Sequence, residues 1–167
     1  MLIIEKQIMI NLPHAECWEK VKDISLAHNY IPNVEKIEIV TPHKEGLGAS
    51  RKAYLTKGKK IVDETVTEWI DKVGFTLKLE VAGKRVLPWF NKFYFRYHIE
   101  KADHKTLFRP GILYEPRVKI LVGLQRKVFD CVMGRELKVI CASMKAYYET
   151  DRPTSAAGFK AIRNNIH

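Results

Sequence analysis

The last third of the chain carries a long amphipathic pattern. Across residues 117–150, apolar side chains recur at steps of three to five residues; they are Leu121, Leu124, Val128, Val132, Leu137, Cys141, Met144 and Tyr148. Such spacing is typical of the buried face of one helix. Residues 34–114 form short stretches of alternating polarity separated by turn residues, which predicts successive strands. The chain is therefore predicted to place one long helix against an antiparallel sheet, and such a pair can enclose a pocket.

Two of the predicted strands show a buried face clearly, because apolar and polar side chains alternate in residues 75–81 and 91–100. The inward positions are Phe75, Leu77, Leu79, Val81, Phe93, Phe95, Tyr97 and Ile99. The other predicted elements are a strand at 2–10, short helices at 13–23 and 25–30, and strands at 34–40, 49–56, 61–70 and 106–114. Asn11 is predicted to cap the first helix. The tail from Asp151 is predicted to be loosely held, with one helical turn near residues 158–164.

The composition indicates one globular domain. The chain has 167 residues, of which 46% are hydrophobic, and no apolar run approaches the roughly 20 residues that cross a bilayer. Its start lacks the basic residues and extended apolar stretch of a signal peptide, so a cytoplasmic protein is predicted. The three cysteines, Cys17, Cys131 and Cys141, have no metal-binding spacing and are odd in number. All three are therefore predicted to be buried free thiols.

The sequence contains no recognisable catalytic or metal-binding motif. The histidines are dispersed without the paired spacing of zinc ligands, and no serine lies in a nucleophile elbow. Gly46 and Gly48 are too close together for a phosphate-binding loop and predict a hairpin turn. No catalytic residue, metal or cofactor is assigned.

Net charge is the one compositional outlier, at +10. The basic residues cluster on two predicted hairpins: Arg51, Lys52, Lys57, Lys59 and Lys60 on one, and Lys84, Arg85, Lys92 and Arg96 on the next. Such a surface favours an anionic membrane, nucleic acid or an acidic partner, or it serves solubility alone. Nucleic acid is the weaker prediction, because the aromatic residues that would stack on bases lie mostly on the presumed inner face.

The order of elements, together with several local segments, resembles the START-like, or Bet v 1-like, superfamily. Residues 17–23 (CWEKVKD) and 30–34 (YIPNV) resemble an early segment of that family, and residues 45–51 (EGLGASR) resemble its glycine turn. Residues 63–69 (DETVTEW) and 114–117 (YEPR) resemble two of its later strands. Within that superfamily, the chain resembles the polyketide cyclase/dehydrase and lipid-transport branch.

This resemblance implies an α+β helix-grip fold, in which a curved antiparallel seven-stranded sheet wraps around the long C-terminal helix and two short helices follow the first strand. Residues 1–150 would form the ligand-binding domain and residues 151–167 a tail. It also implies a hydrophobic cavity between sheet and helix. The candidate lining residues are Phe75, Leu77, Leu79, Phe93, Phe95, Tyr97, Leu121, Leu124, Val128 and Val132, although the same periodicity is compatible with a solid core.

Three polar side chains are candidates for orienting a ligand or moving protons: Arg51, Glu64 and Glu68. Glu64 and Glu68 are predicted to share one strand face, and an inward carboxylate would have a raised pKa. Arg51, like Arg109, would bind a ligand carboxylate or phosphate if it pointed inward; pairing on the outer face is the alternative.

Three functions remain open at this point. The first is a carrier or sensor of a small hydrophobic molecule such as a lipid, an isoprenoid or a polyketide, with peripheral contact to an anionic membrane. The second is an enzyme of the polyketide cyclase/aromatase type that uses the same cavity. The third is a basic module that binds RNA. The sequence does not specify an oligomeric state.

Overall fold

The computed structural model describes residues 1–117 and 122–166, and of Val122, Leu124 and Gln125 it describes the backbone alone. The strands are β1 (Leu2–Glu5), β2 (Ile8–Ile10), β3 (Val34–Ile39), β4 (Ser50–Leu55), β5 (Ile61–Ile70), β6 (Gly74–Val81), β7 (Lys84–Arg85), β8 (Phe90–Ala102), β9 (Lys105–Phe108) and β10 (Gly111–Pro116). The helices are α1 (His14–Val21), α2 (Val122–Thr150) and α3 (Ala156–Asn165), with 3₁₀ segments at Ile24–Asn29 and Lys57–Lys59. The predicted order of elements is confirmed.

The strands form one antiparallel sheet. Its main path runs β1-β10-β8-β6-β5-β4-β3, β7 pairs with β6, and β9 joins β2 to β8. The seven strands of this path correspond to the predicted seven-stranded sheet. The first predicted strand is divided, because β1 pairs with β10 whereas β2 pairs with β9. The last predicted strand is likewise divided at Arg109 and Pro110, where proline has no N–H to donate to a ladder.

α2 packs against β1, β2 and β10. Its core-facing side chains include Phe129, Met133, Leu137, Met144 and Tyr148. Val128 and Val132 lie on the opposite side and are 59% and 55% exposed, so their predicted place on the buried face is wrong. The step of five residues from Val132 to Leu137 turns about 140° around a helix, whereas steps of three or four keep residues on one face. Leu121 and the side chain of Leu124 lie outside the described residues.

The start of α1 differs from the prediction. Pro13, not Asn11, occupies the N-cap position, and no side chain caps the helix. The Asn11 N–H instead donates to the Glu149 carboxylate at 2.6 Å, which ties the end of β2 to α2. The following 3₁₀ segment does have a side-chain cap, because Asp23 accepts a hydrogen bond from the N–H of Ser25 at 3.0 Å.

The tail forms a complete helix, α3, rather than the single turn predicted. The Ser155 hydroxyl caps it by accepting from the Gly158 N–H at 3.1 Å. Arg163 of α3 pairs with Glu136 of α2 at 2.8 Å, so the tail is tied to the long helix.

Within the described ranges, no helix combines the length and apolarity needed to cross a membrane.

Two of the three thiols lie where the sequence predicts. Cys17 and Cys141 are buried and free, whereas Cys131 is exposed on α2. The prediction for Cys131 is therefore wrong, because the outer side of α2, which also carries Val128 and Val132, is open to solvent at this level.

Candidate functional site

The inner faces of β6 and β8 form the apolar wall that the alternation predicts. Phe75 and Tyr97 stack with 4.6 Å between ring centroids, and Phe95 packs on Tyr97 at 4.8 Å. Phe75, Leu77 and Tyr97 are no more than 3% exposed, so neighbouring atoms cover nearly all of their surface. This part of the predicted lining lies in closely packed core.

Leu79 and Phe93, farther along the same two strands, line an open cleft of about 470 Å³. Both side chains are half-buried, unlike the inner positions. The cleft is also lined by residues that the sequence prediction did not include, among them Lys84, Arg85, Val86, Leu87, Phe90 and Arg117. Its volume falls within the range of about 300–1,000 Å³ typical of small-molecule sites.

One wall of the cleft is the arm, which we define as residues 82–92. Ala82 and Gly83 have φ of 50° and 68°, the pair of positive angles that a type I′ turn requires. This turn folds β7 back onto β6. The N–H of Arg117 donates to the Trp89 carbonyl oxygen at 2.8 Å and so ties the far end of the arm to the end of β10. Residues 82–88, predicted as a plain loop, therefore contain a short hairpin.

The floor of the cleft is aromatic. Phe90, which is 8% exposed, packs against Phe129 of α2 at 4.7 Å and against Tyr114 at 5.1 Å between ring centroids. Phe93 lies 6.2 Å from Phe90. These rings join the floor of the cleft to the core beneath α2.

The rim of the cleft is basic. Lys78 pairs with Glu80 at 2.8 Å, and Lys92 lies 3.7 Å from Glu115, so these two charges are offset locally. Lys84, Arg85 and Arg117 are exposed, and none of the three has an ion pair within the described part of the chain. An apolar floor below unpaired cations suits a molecule that is mostly hydrophobic and carries a negative group at one end.

The two inward polar candidates, Arg51 and Glu64, form a buried ion pair. The Arg51 guanidinium donates through Nε to the Glu64 carboxylate and through Nη1 to the Ile24 carbonyl oxygen. Burial alone lowers the pKa of Arg51, but the facing carboxylate more than offsets this and holds the pKa above its ordinary value. Arg109, the other arginine considered, instead pairs near the surface with Glu100 at 3.3 Å.

Tyr30 and Tyr97 lie beside this pair, Tyr148 packs against Tyr30, and all three side chains are buried. The Tyr30 and Tyr97 oxygens lie 3.4 Å apart. The Tyr148 ring packs edge-on against Tyr30 at 5.6 Å, and its hydroxyl makes no hydrogen bond of normal geometry to any described residue. Burial raises the pKa of all three phenols, that of Tyr30 and Tyr148 well above the ordinary value. The hydroxyls therefore remain protonated at neutral pH.

Glu68 is exposed, and its predicted place on the same strand face as Glu64 is wrong. The pairing of β5 with β6 shifts register between Val66 and Glu68. Such a bulge adds one residue and reverses the alternation beyond it. Glu64 and Val66 are buried before the bulge, whereas Trp69 turns towards the core after it.

The described residues contain no cluster of three or more histidine, cysteine, aspartate or glutamate side chains with the geometry to hold a metal ion. The two polar regions described above differ in their surroundings. The Arg51–Glu64 pair lies in packed core, and the basic rim lies at the open cleft.

Comparison with known proteins bears on the fold. No family model matches the chain, and no curated protein matches its sequence. Solved structures do match it, among them Ara h 8.0201, which is 16% identical with a TM-score of 0.62 over 88% of this chain and 97% of that one. The chain has the START-like, or Bet v 1-like, helix-grip fold.

Two further structures with this helix-grip architecture cover the same shares of each chain, 88% and 97%. A START superfamily protein from Mycobacterium smegmatis is 12% identical with a TM-score of 0.62, and major latex-like protein 151 from Panax ginseng is 13% identical with a TM-score of 0.64. At sequence identities this low, structural similarity establishes the architecture alone. Function must be argued from the site.

Three residues of the cleft were missed by the sequence prediction because they meet only in the folded chain. Leu87, Phe90 and Arg117 meet at the cleft because the arm folds back on β6 and is tied to the end of β10. One local signal was present: Ala82 and Gly83 follow an alternating strand directly, and a glycine at the second position of a two-residue loop favours a hairpin. The hydrogen bond between Arg117 and Trp89 has no local signal, because these residues are 28 positions apart in the sequence.

Proposed function

We propose that this protein binds a small, mostly hydrophobic molecule, of the lipid or isoprenoid kind, in the cleft between the arm and the sheet, and that it acts as a carrier or sensor in the cytoplasm. The observation that carries the proposal is the apolar floor of the open cleft, formed by Leu79, Leu87, Phe90 and Phe93. The helix-grip fold supports the class of ligand, because the sequence resemblance implies binding of a hydrophobic molecule.

Burial supplies the binding energy in this proposal. A ligand that loses about 300 Å² of apolar surface to the cleft gains about 7 kcal/mol before the costs of association are subtracted. The unpaired cations Lys84, Arg85 and Arg117 would add orientation by holding a carboxylate or phosphate at the rim. The preferred ligand would then be set by the length of the apolar chain that the floor of the cleft accommodates and by the charged group at one end of the ligand.

The test has two stages. Native mass spectrometry of the purified protein, followed by organic extraction, identifies any molecule that copurifies. Titration with the neutral dye Nile red and competition by dodecanoic acid then measure affinity in wild type, in Phe93→Ala and in Leu79→Gln. We expect both variants to weaken binding at least about tenfold, because each removes a few kcal/mol of apolar contact.

Leu47→Ala is the matched control, because Leu47 is an apolar side chain that is 67% exposed and outside the cleft. It should leave the affinity unchanged. No bound molecule and no dye binding by the wild type, or equal binding by all four proteins, would refute the proposed site.

A polyketide cyclase/aromatase activity is the second candidate, and the buried Arg51–Glu64 pair favours it together with the neighbouring Tyr30 and Tyr97 hydroxyls. Protonated phenols beside a guanidinium provide proton donors for enolate chemistry. The test is turnover of a linear poly-β-ketone thioester, followed by mass spectrometry, in wild type and Tyr97→Phe. Turnover that Tyr97→Phe abolishes supports the enzyme; absence of turnover by the wild type leaves the carrier.

A further inference from the structure

Trp89 is the exposed tryptophan of the chain. It is 65% exposed in the arm, whereas Trp18 is 2% exposed and packs on the half-buried Trp69 at 5.3 Å between ring centroids. The backbone of Trp89 is held by its hydrogen bond to Arg117, and the next side chain, Phe90, turns into the core. The indole is therefore presented outward from an anchored segment. A single exposed aromatic side chain does not by itself mark a contact surface, so the charges beside it must decide.

The charged residues of the arm itself are all basic. The arm contains Lys84, Arg85 and Lys92 and no acidic residue. Lys84 and Arg85 are exposed without an ion pair in the described part of the chain, and Arg117 lies beside them at the cleft. The surface next to the indole therefore carries at least three cations that are not neutralised by a neighbour.

The sheet topology brings the second basic cluster to the same end of the molecule. The sheet contains the run of antiparallel neighbours β4, β5, β6, β8 and β10. The β4–β5 turn, the arm and the end of β10 therefore lie at the same end of the strands. The exposed residues Lys57, Lys59 and Lys60 occupy that β4–β5 turn. Six exposed cations, three in this turn and three at the cleft, therefore lie at the end where the cleft opens, which we call the basic end.

We propose that the basic end docks onto an anionic lipid bilayer, with the Trp89 indole at the membrane interface and Lys84, Arg85 and the β4–β5 turn against the head groups. Tryptophan favours the interface because its ring is apolar and its N–H is polar. Each basic residue near such a surface adds about 1 kcal/mol of attraction. Docking needs no ligand in the cleft, and its consequence, that the cleft opens towards the bilayer for exchange, rests on the proposed function.

The test is cosedimentation with large unilamellar vesicles of phosphatidylcholine alone or with about 30% phosphatidylglycerol, since attraction depends on anionic lipid. The wild type should bind the anionic vesicles and not the neutral ones, and about 0.5 M NaCl should release it, because salt screens exposed charges. Tryptophan emission should shift to shorter wavelength on binding, and the shift should be absent in Trp89→Phe because Trp18 and Trp69 are already packed against each other.

Two pairs of variants locate the contact. Lys84→Glu/Arg85→Glu should weaken vesicle binding at least about tenfold, whereas Lys101→Glu/Lys105→Glu makes the same charge change on exposed residues at the opposite end and should not. Trp89→Ser should weaken binding, whereas Ile70→Ser removes an apolar side chain that is 61% exposed beside the β5–β6 turn and should not. Circular dichroism verifies that all four variants fold.

Equal effects of the two charge pairs, or unchanged binding by Trp89→Ser, would overturn the docking proposal, as would failure to bind anionic vesicles. A parallel titration with oligo-uridine tests RNA as the alternative anionic partner. If Trp89 emission responds to the RNA and not to the vesicles, the basic end is an RNA surface and the membrane proposal is wrong. Nile red binding is measured separately, so loss of vesicle binding with intact dye binding refutes docking and leaves the ligand site standing.

Discussion

Arg51 and Glu64 face each other across β4 and β5, and their ion pair lies inside the core. They are register partners, and their side chains are 1% and 10% exposed. The second hydrogen bond of Arg51, to the Ile24 carbonyl oxygen, joins the sheet to the 3₁₀ segment that follows α1. One side chain thus connects two layers of the fold.

Loss of one member of this pair should be costly, because the other is left charged and buried. We expect Arg51→Ala to lower the free energy of unfolding by about 3–5 kcal/mol. Arg51→Met combined with Glu64→Leu should cost much less, since no uncompensated charge remains. Urea denaturation measures both. Lys36→Ala is the control, because the Lys36–Glu38 pair is exposed and should be worth less than about 1 kcal/mol. A small effect of Arg51→Ala would contradict the buried pair.

Gly74 should not tolerate a side chain. A Cβ there would lie 2.0 Å from the Tyr97 carbonyl oxygen, and φ is 156°. We expect Gly74→Ala to destabilise by about 2–4 kcal/mol, because β6 and β8 must separate to accept the methyl group. At Gly48, φ is 81° but a Cβ meets nothing within 4 Å, so Gly48→Ala isolates backbone strain and should cost about 1 kcal/mol. Thermal denaturation of both variants separates the steric clash from the strain.

The two sides of α2 should respond differently to truncation. Leu137 is fully buried and Val132 is 55% exposed. We expect Leu137→Ala to cost about 2–5 kcal/mol through the cavity it leaves, and Val132→Ala to stay within about 0.5 kcal/mol. Similar losses at the two positions in chemical denaturation would place the helix in a different rotation about its axis.

Thiol reactivity should separate the cysteines. Burial raises the pKa of Cys17 to about 11 and that of Cys141 to about 12, so neither is ionised or accessible near pH 8. Cys131 is exposed. Native protein should therefore react with Ellman's reagent at one thiol quickly, and denatured protein at three. Cys131→Ser should abolish the fast phase; a fast phase that survives this substitution would contradict the assignment.

The buried thiols of Cys17 and Cys141 should make the protein less stable at alkaline pH. Each stays protonated when folded but ionises near pH 9 when unfolded, so the folded state holds more protons above that pH. Stability is complete below pH 9 and falls as the pH rises towards 11, by up to about 1.4 kcal/mol per pH unit for each thiol. Melting temperatures at pH 8, 9 and 10 measure this. A melting temperature that stays constant or rises would exclude the mechanism.

Local pattern predicted most of the elements and their inward faces. The alternation in β6 and β8 placed Phe75, Leu77 and Phe95 in the core, because a strand with one buried face shows a period of two in any window. The same local view failed where the chain departs from a regular period. The bulge after Val66 turned Glu68 outward, and it leaves no mark in side-chain polarity.

Local sequence patterns predicted the order of strands and helices, the amphipathic length of α2 and the resemblance to a helix-grip fold. They could do so because periodicity and turn chemistry depend on residues that are close in the sequence. The burial of Arg51 and the outward position of Trp89 were not. A charged side chain is stable in a core when a specific partner offsets its desolvation, and here the partners lie 13 and 27 residues away. An indole is held at a surface when its backbone is tied elsewhere, and here the tie is Arg117. Both outcomes depend on contacts that form when distant segments meet in the folded chain.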